Sequence, residues 1–427
     1  LGAAISLCLS PAVLASDART LDTVQVTASR VERPLDESLA SVTVIRRADI
    51  EASQAPDLLD LLGRQVGVDI ARTGGPGGGS AVFLRGGNSN HSLVLVDGIR
   101  VTSTGQGVFD FAHLPLEQIE RIEIVRGPRA AFWGSGAIGG VIHVFTRDPS
   151  QPSVRVLAGS YGRAGASAGA GFGDDDRGLG VTAGFQRLDG FSATNPDSVF
   201  SYDPDRDGYR NRNLSLRGRT ALGSQRLAFS ALSTNADVQF DRGQTEARNA
   251  SAGVTLGGDL RPGWSHQLTL GHAREDLDTA SSFSNRFQSR RTSLDWLNSL
   301  QAGADATLSF GLNWQRENGA SQNAFDGELF DQQRTSRAAF LAYGGRFGAH
   351  VLDLSVRHDD SDQYGAATSG NAAWGWDLSD RARVRLSWGE GFRAPNFNEL
   401  FYPDSGYGFA GNPDLRPESS RTWEAGM

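Results

Sequence analysis

Asp305-Ala-Thr-Leu-Ser-Phe-Gly-Leu-Asn-Trp-Gln-Arg316 is the stretch from which the fold follows. Ala306, Leu308, Phe310, Leu312 and Trp314 take every second position, with Asp305, Thr307, Ser309, Asn313 and Gln315 between them. A β-strand turns successive side chains to opposite faces, so this segment has one apolar and one polar face. Arg381–Gly389 and Val351–Arg357 repeat the pattern. From about residue 153 onward there are roughly 13–14 such segments, each near the length that crosses a bilayer as a tilted strand. They are joined alternately by tight turns (Gly173–Asp176, Gly348–Ala349) and by long polar stretches (Thr194–Arg212, Asn318–Thr335). A soluble antiparallel sheet shares the alternation. Short turns on one side and long loops on the other favour a transmembrane β-barrel, with lipid outside and water within.

Composition agrees. Fifty-three of the 427 residues are Gly, a load that opposes a mostly helical chain. Mean hydropathy is −0.34, and no segment after residue 15 has the apolar length of a spanning helix. The net charge of −8 leaves no basic excess to drive nucleic-acid binding, and that all 41 basic residues are Arg reads as compositional bias.

Leu1–Ala15 reads as the remnant of an export signal, an apolar run ending Val13-Leu-Ala15. It holds the single cysteine, Cys8, so the rest of the chain has no thiol chemistry. Residues 21–148 follow another pattern. Short strand-like runs (Val42–Ile45, Val82–Leu84, Leu93–Val96, Ile122–Val125) and helical candidates (Pro56–Leu62, Leu116–Arg121) are separated by Gly-rich turns. This reads as a small α+β domain. The expected organisation is signal remnant 1–15, periplasmic segment 16–30, α+β domain 31–150 and barrel 151–427.

Two motifs carry no chemistry. Gly134-Ser-Gly-Ala-Ile-Gly139 matches a dinucleotide fingerprint, but a strand-like Gly140–Thr146 follows it instead of a helix. Gly165-Ala-Ser-Ala-Gly169 lies inside an alternating run with no elbow. Asp203-Pro-Asp-Arg-Asp-Gly208 is more informative, because alternate carboxylates before a Gly can converge on a calcium ion. Leu214 stands where an EF-hand needs Glu. The segment is either a solvated acidic turn or a calcium loop completed by Asp237 and Asp241. Leu21–Ala28 is either the first strand of the α+β domain or a free strand that a partner captures by backbone pairing.

Taken together these segments resemble the TonB-dependent outer-membrane receptors, and among them the cobalamin receptors. Asp22-Thr-Val-Gln-Val-Thr-Ala28 is similar to the partner-binding TonB box. Pro56–Ile70, Val82–Gly86, Asn90–Arg100, Ile119–Pro128 and Trp133–Ile142 are similar to the family's plug motifs, and Gly391–Pro395, Asn398–Leu400 and Asn412–Glu418 to its barrel motifs.

The resemblance implies a barrel of about 22 strands when complete, plugged by the N-terminal domain; the chain would then be a fragment lacking the C-terminal strands. It implies a non-enzymatic, monomeric outer-membrane importer, surrounded by lipid and without an organic cofactor. Its periplasmic partner, a TonB-type protein, would bind Asp22, Thr23, Val24, Gln25, Val26, Thr27 and Ala28. Cobalamin would meet Gly79, Ala81, Asn88, Gln106 and Gly107, and Ca²⁺ would be held by Asp203, Asp205, Asp207, Asp237 and Asp241. Ser192 and His143 replace an Asp and an Asn of the family's pattern. The alternatives are a ferric siderophore or haem receptor, the latter with His91 or His113 as iron ligand, then a passive porin or an envelope enzyme.

Overall fold

Short apolar runs between glycine turns build the N-terminal domain, and long alternating runs build the wall around it. The computed structural model describes residues 25–26, 30, 33–148, 152–174, 176–192, 194–198, 202–379, 381–404, 406 and 408–427. The signal remnant lies outside them.

The first domain begins with β1 (Gln25–Val26), paired antiparallel with β2 (Arg33–Pro34). Its core sheet contains β3 (Ser41–Arg46), β6 (Ser92–Val96), β7 (Ile99–Arg100), β8 (Ile119–Arg126) and β9 (Gly140–Thr146), in the order β3-β8-β9-β6-β7. A separate hairpin is formed by β4 (Val68–Arg72) and β5 (Ser80–Leu84). Helices α1 (Arg47–Ser53) and α2 (Leu58–Gly63) pack beside the sheet, and the single turn α3 (Ala130–Trp133) packs against the wall. Asp57 caps α2, accepting from the Asp60 amide at 2.8 Å. Its Leu58, Leu59, Leu61 and Leu62 are all buried with Ile122, Ile124 and Ile142 in one core. The helix expected at Leu116–Arg121 is instead a single 3₁₀ turn, Leu116–Gln118, running into β8. Ile119 is already paired with Thr146, so the sheet takes that chain.

Fourteen strands follow, each paired antiparallel with the next. They are β10 (Ser153–Gly159), β11 (Arg163–Gly173), β12 (Arg177–Leu188), β13 (Tyr209–Leu222), β14 (Gln225–Phe240), β15 (Gly243–Arg261) and β16 (Trp264–Ala280). Then come β17 (Asn285–Gln301), β18 (Ala306–Asn323), β19 (Gly327–Phe347), β20 (His350–Ser361), β21 (Gly365–Ser379), β22 (Ala382–Arg393) and β23 (Glu418–Gly426). The sheet curls around the first domain, touching it from β10, where Arg155 pairs with Glu117, to β23, where Glu418 meets His91.

Exposure is inverted relative to a water-soluble sheet. Leu270, Leu312, Val356 and Leu386 are 47–54% exposed, while Ser309, Asn298 and Ser369 are buried. The outward face is apolar because its solvent is lipid. Among the described residues no helix is long and apolar enough to cross a membrane. Asn318–Thr335, expected as a long loop, is mostly strand. β18 and β19 pair through Asn318↔Gln333 and turn only at 324–326. A strand of 21 residues such as β19 exceeds the roughly 9–11 residues that span lipid; its excess stands in water, which makes it polar.

Candidate functional site

Three glycine-bearing turns of the first domain rise toward the end of the wall that carries the long 189–208 connection. The first, Thr73–Gly79, is closed by Thr73 N–H donating to Gly79 O at 2.9 Å. Gly77 has φ +85°, and a Cβ there would lie 2.2 Å from the Tyr209 ring. Only glycine lets this turn rest on the start of β13. Gly79 and Ala81 belong to this turn and to β5. Tyr209 Oη donates to Ala112 O at 3.2 Å, and Asn211 Nδ2 to His113 O at 3.1 Å. The first domain is therefore bound to the strand that leaves the acidic loop.

The second turn holds Asn88, which is exposed. The third, 101–108, holds Gln106, also exposed, and Gly107 at φ +75°. A Cβ on Gly107 would stand 3.2 Å from Asn90 Cβ and 4.0 Å from Asn396 Nδ2. The second and third turns thus share one rim with Asn396, while Gly79 and Ala81 lie on the Tyr209 side.

Wall residues fix the third turn. Thr104 N–H donates to Ser289 Oγ at 3.0 Å, and the Phe397 and Asn398 amides of α4 (Phe397–Phe401) donate to Thr104 O and Gly105 O. Arg291 Nη1 donates to Thr102 O at 2.7 Å. Arg291 also pairs with Glu317, whose other oxygen pairs with Arg334 at 2.8 Å, and Arg334 donates to Pro395 O at 2.9 Å. Arg291, Glu317 and Arg334 are 6%, 2% and 7% exposed. This buried cation–anion–cation triad joins β17, β18 and β19 to the turn and to α4. Sequence reasoning missed it, because only strand register brings the three together.

The acidic loop is partly assembled. Carboxylate oxygens of Asp205, Asp207 and Asp241 lie within 4.8 Å of one another. Oxygens bound to one calcium at about 2.3–2.6 Å stand no more than about 5 Å apart, so this all-oxygen set fits the ion. Gly190, at φ +74°, makes room: a Cβ there would lie 1.8 Å from Asp207 O. Asp203 contributes differently, its amide donating to Asp241 Oδ1 at 3.1 Å. Ser192 Oγ donates to Asp203 O at 2.7 Å. Asp237 stands outside the group. Ala236 and Val238 on either side of it are buried against the interior, so strand alternation turns Asp237 outward.

Of the candidate partner-binding strand, Gln25 and Val26 are paired with Pro34 and Arg33. Asp22, Thr23, Val24, Thr27 and Ala28 lie outside the described residues. Arg30 lies inside the wall, 2.6 Å from Asp295 Oδ1 and over the rings of Trp133 and Phe340. His91 Nε2 is 2.8 Å from Glu418 Oε2, and His113 stacks on Tyr209.

His143 sits in β9, inside the first domain. Its Nε2 accepts from the Gly98 amide at 2.8 Å, which needs the neutral ring. Burial, then Arg121 and Arg217, push its pKa down to about 3. The unfolded chain takes up this proton near pH 6.5 and the folded one does not. Stability is therefore complete above pH 6.5 and lost as pH falls toward 3, by about 1.4 kcal/mol per pH unit. We expect His143→Asn to flatten that slope in pH-dependent denaturation of the purified protein; an unchanged slope would refute the assignment.

Comparison with known proteins gives two family matches, TonB-dependent Receptor Plug Domain over residues 34–141 and TonB dependent receptor-like, beta-barrel over 153–427. The vitamin B12 transporter BtuB of Photobacterium profundum is 30% identical over 436 residues, covering 99% of this chain and 69% of that protein. The corresponding transporter of Vibrio vulnificus YJ016 is 32% identical over 439 residues, covering 97% and 68%. Among solved structures, a ferric enterobactin receptor (PfeA) mutant of Pseudomonas aeruginosa superposes with TM-score 0.74 at 18% identity, covering 90% of this chain and 68% of that one.

Proposed function

The chain belongs to the TonB-dependent receptors of the outer membrane, and from that premise we propose that it imports cobalamin. The observation that carries the substrate is 30–32% identity to vitamin B12 transporters over 97–99% of the chain. The siderophore receptors share the fold at 18% identity.

Cargo binds on the rim where Asn88, Gln106 and Gly107 meet Asn396, with Gly79 and Ala81 offering backbone groups beside Tyr209. Ca²⁺ supplies the charge that lets Asp205, Asp207 and Asp241 stand together. Through Tyr209 the ordered loop bears on the plug, so ion occupancy lowers the ordering entropy incurred when cargo binds. A TonB-type partner then pairs with residues 22–28 and draws on the plug. Transport involves no covalent step.

The test is equilibrium binding of labelled cyanocobalamin to outer membranes carrying the full gene product, with Ca²⁺ and then with chelator. We expect tight binding that weakens about tenfold, or 1.4 kcal/mol, on chelation. The triple variant Asp205→Asn, Asp207→Asn, Asp241→Asn should bind weakly and ignore the chelator. No binding by folded wild-type receptor would remove cobalamin and move ferric siderophores to first place.

A further inference from the structure

Hairpin β6–β7 ends at the edge of the plug sheet, where β7 pairs with β6 through Leu95↔Arg100 and Val96↔Ile99, extended by Val101 N–H donating to Val94 O at 3.1 Å. Its tip meets the wall at β15 and β16. Ile99 is 3% exposed, and it is buried where the wall has no side chains. A Cβ added to Gly253 would lie 2.9 Å from Ile99 Cδ1, and one added to Gly271 2.5 Å. Gly253 and Gly271 are register partners, so they form one bare patch into which Ile99 fits.

Cavities lie on both sides of this contact. Toward the outside is a small one of about 30 Å³, lined by Thr102, Ser251 and Glu275 among others. Toward the periplasm is one of about 370 Å³, lined by Arg30, Asp97, Thr255 and Thr269. It shares Ser265 and Ser299 with a third of about 660 Å³ that reaches the periplasmic turns. The same strands, β15 to β17, contribute to all three.

We propose that cargo crosses between the plug and the β14–β17 wall, and that Ile99 on the Gly253–Gly271 patch is the seal on that route. The inference rests on the import reading above. A seal must open without breaking the fold. The contact of Ile99 with the wall is apolar, so that contact parts without unpairing a polar group; the hairpin's other ties, Gly98 N–H on His143 Nε2, Arg100 Nη2 on Trp133 O and Arg291 on Thr102 O, are hydrogen bonds that must be exchanged as it swings. The side chain of Arg30 occupies the cavity beneath. Drawing the N-terminal segment out removes Arg30 from Asp295 and clears the space into which the hairpin can swing. The opposite side is tied by backbone bonds, as where Gly136 N–H donates to Phe392 O at 2.9 Å.

The test places two cysteine pairs in the full gene product carrying Cys8→Ser. One is Ile99→Cys with Gly271→Cys, across the seal. The other is Pro128→Cys with Gly389→Cys, on the opposite wall, where an added Cβ on Gly389 lies 3.5 Å from Pro128 Cβ. A short bismaleimide closes either pair if the disulfide does not form. Binding and uptake of labelled cyanocobalamin are measured on the same cells, with and without crosslinking. We expect the Ile99 tether to leave binding intact and reduce uptake to the level of cells without the transducing partner, with recovery on reduction of the disulfide. The Pro128 tether should leave both intact. Uptake that survives the Ile99 tether, or is lost equally with either tether, overturns the route while leaving the import reading standing. Wild-type cells that neither bind nor accumulate cyanocobalamin overturn that reading and the route with it.

Discussion

Glu317→Gln should destabilise the receptor by about 3–5 kcal/mol, the usual penalty for removing one partner of a buried ion pair. Glu317 is the only anion between Arg291 and Arg334 in the triad. Without its charge, two buried guanidinium groups face each other with no counter-charge between them. Arg291 and Arg334 also donate to Thr102 O and Pro395 O, so both the third plug turn and α4 should loosen. The check is the midpoint of heat-modifiable gel migration, expected to fall well below wild type, with protease sensitivity appearing near residues 101–108. Replacing all three by apolar residues of similar volume, Arg291→Met, Glu317→Leu, Arg334→Met, should recover part of the loss, because no buried charge then lacks a partner while Thr102 O and Pro395 O still lose their donors. A Glu317→Gln protein as stable as wild type would mean that water reaches the triad.

Deleting Asp22–Ala28 should reduce cobalamin uptake to background and leave binding unchanged. The described residues of this segment, Gln25 and Val26, pair with Pro34 and Arg33 and not with the rim residues. Gln25 and Val26 are held by two register pairs to β2, one of them to Pro34, which has no amide hydrogen to donate. Such a strand exchanges partners readily, and a partner reads it through its backbone. Val26→Pro should therefore abolish uptake nearly as completely as the deletion, while Val26→Ala should keep most of it. The measurement is accumulation of labelled cyanocobalamin in energised cells beside binding on the same cells. Uptake that persists after the deletion would exclude active import through this strand.

Much of the wall was legible because alternation is a property of single segments. Leu308, Phe310, Leu312 and Trp314 face outward as their spacing requires. Asn318–Thr335 was not, since a strand projecting into water carries the same residues as a loop. Leu116–Arg121 failed for another reason: its apolar spacing suits either element, and pairing with β9 decided it. The acidic loop was half legible. Asp205 and Asp207 are two apart in one motif, and Asp241 was reachable as part of the next turn. The outward rotation of Asp237 depends on where β14 ends, which composition does not mark. Ile99 and the triad were invisible, because each is defined by partners on other strands.

Several of the closest plug–wall contacts pair a glycine with a large side chain: Gly77 with Tyr209, Gly105 with Phe287, Gly253 and Gly271 with Ile99. The glycine is sometimes on the plug and sometimes on the wall. Neither part can drift alone, since an alanine on one side demands a smaller residue on the other. A plug grafted from a distant relative would meet these positions as collisions or holes, even where backbone and cargo agree. Chimeric receptors built from this chain should therefore be joined in sets of matched positions, with the graft boundary chosen by paired volumes and not by the domain limit.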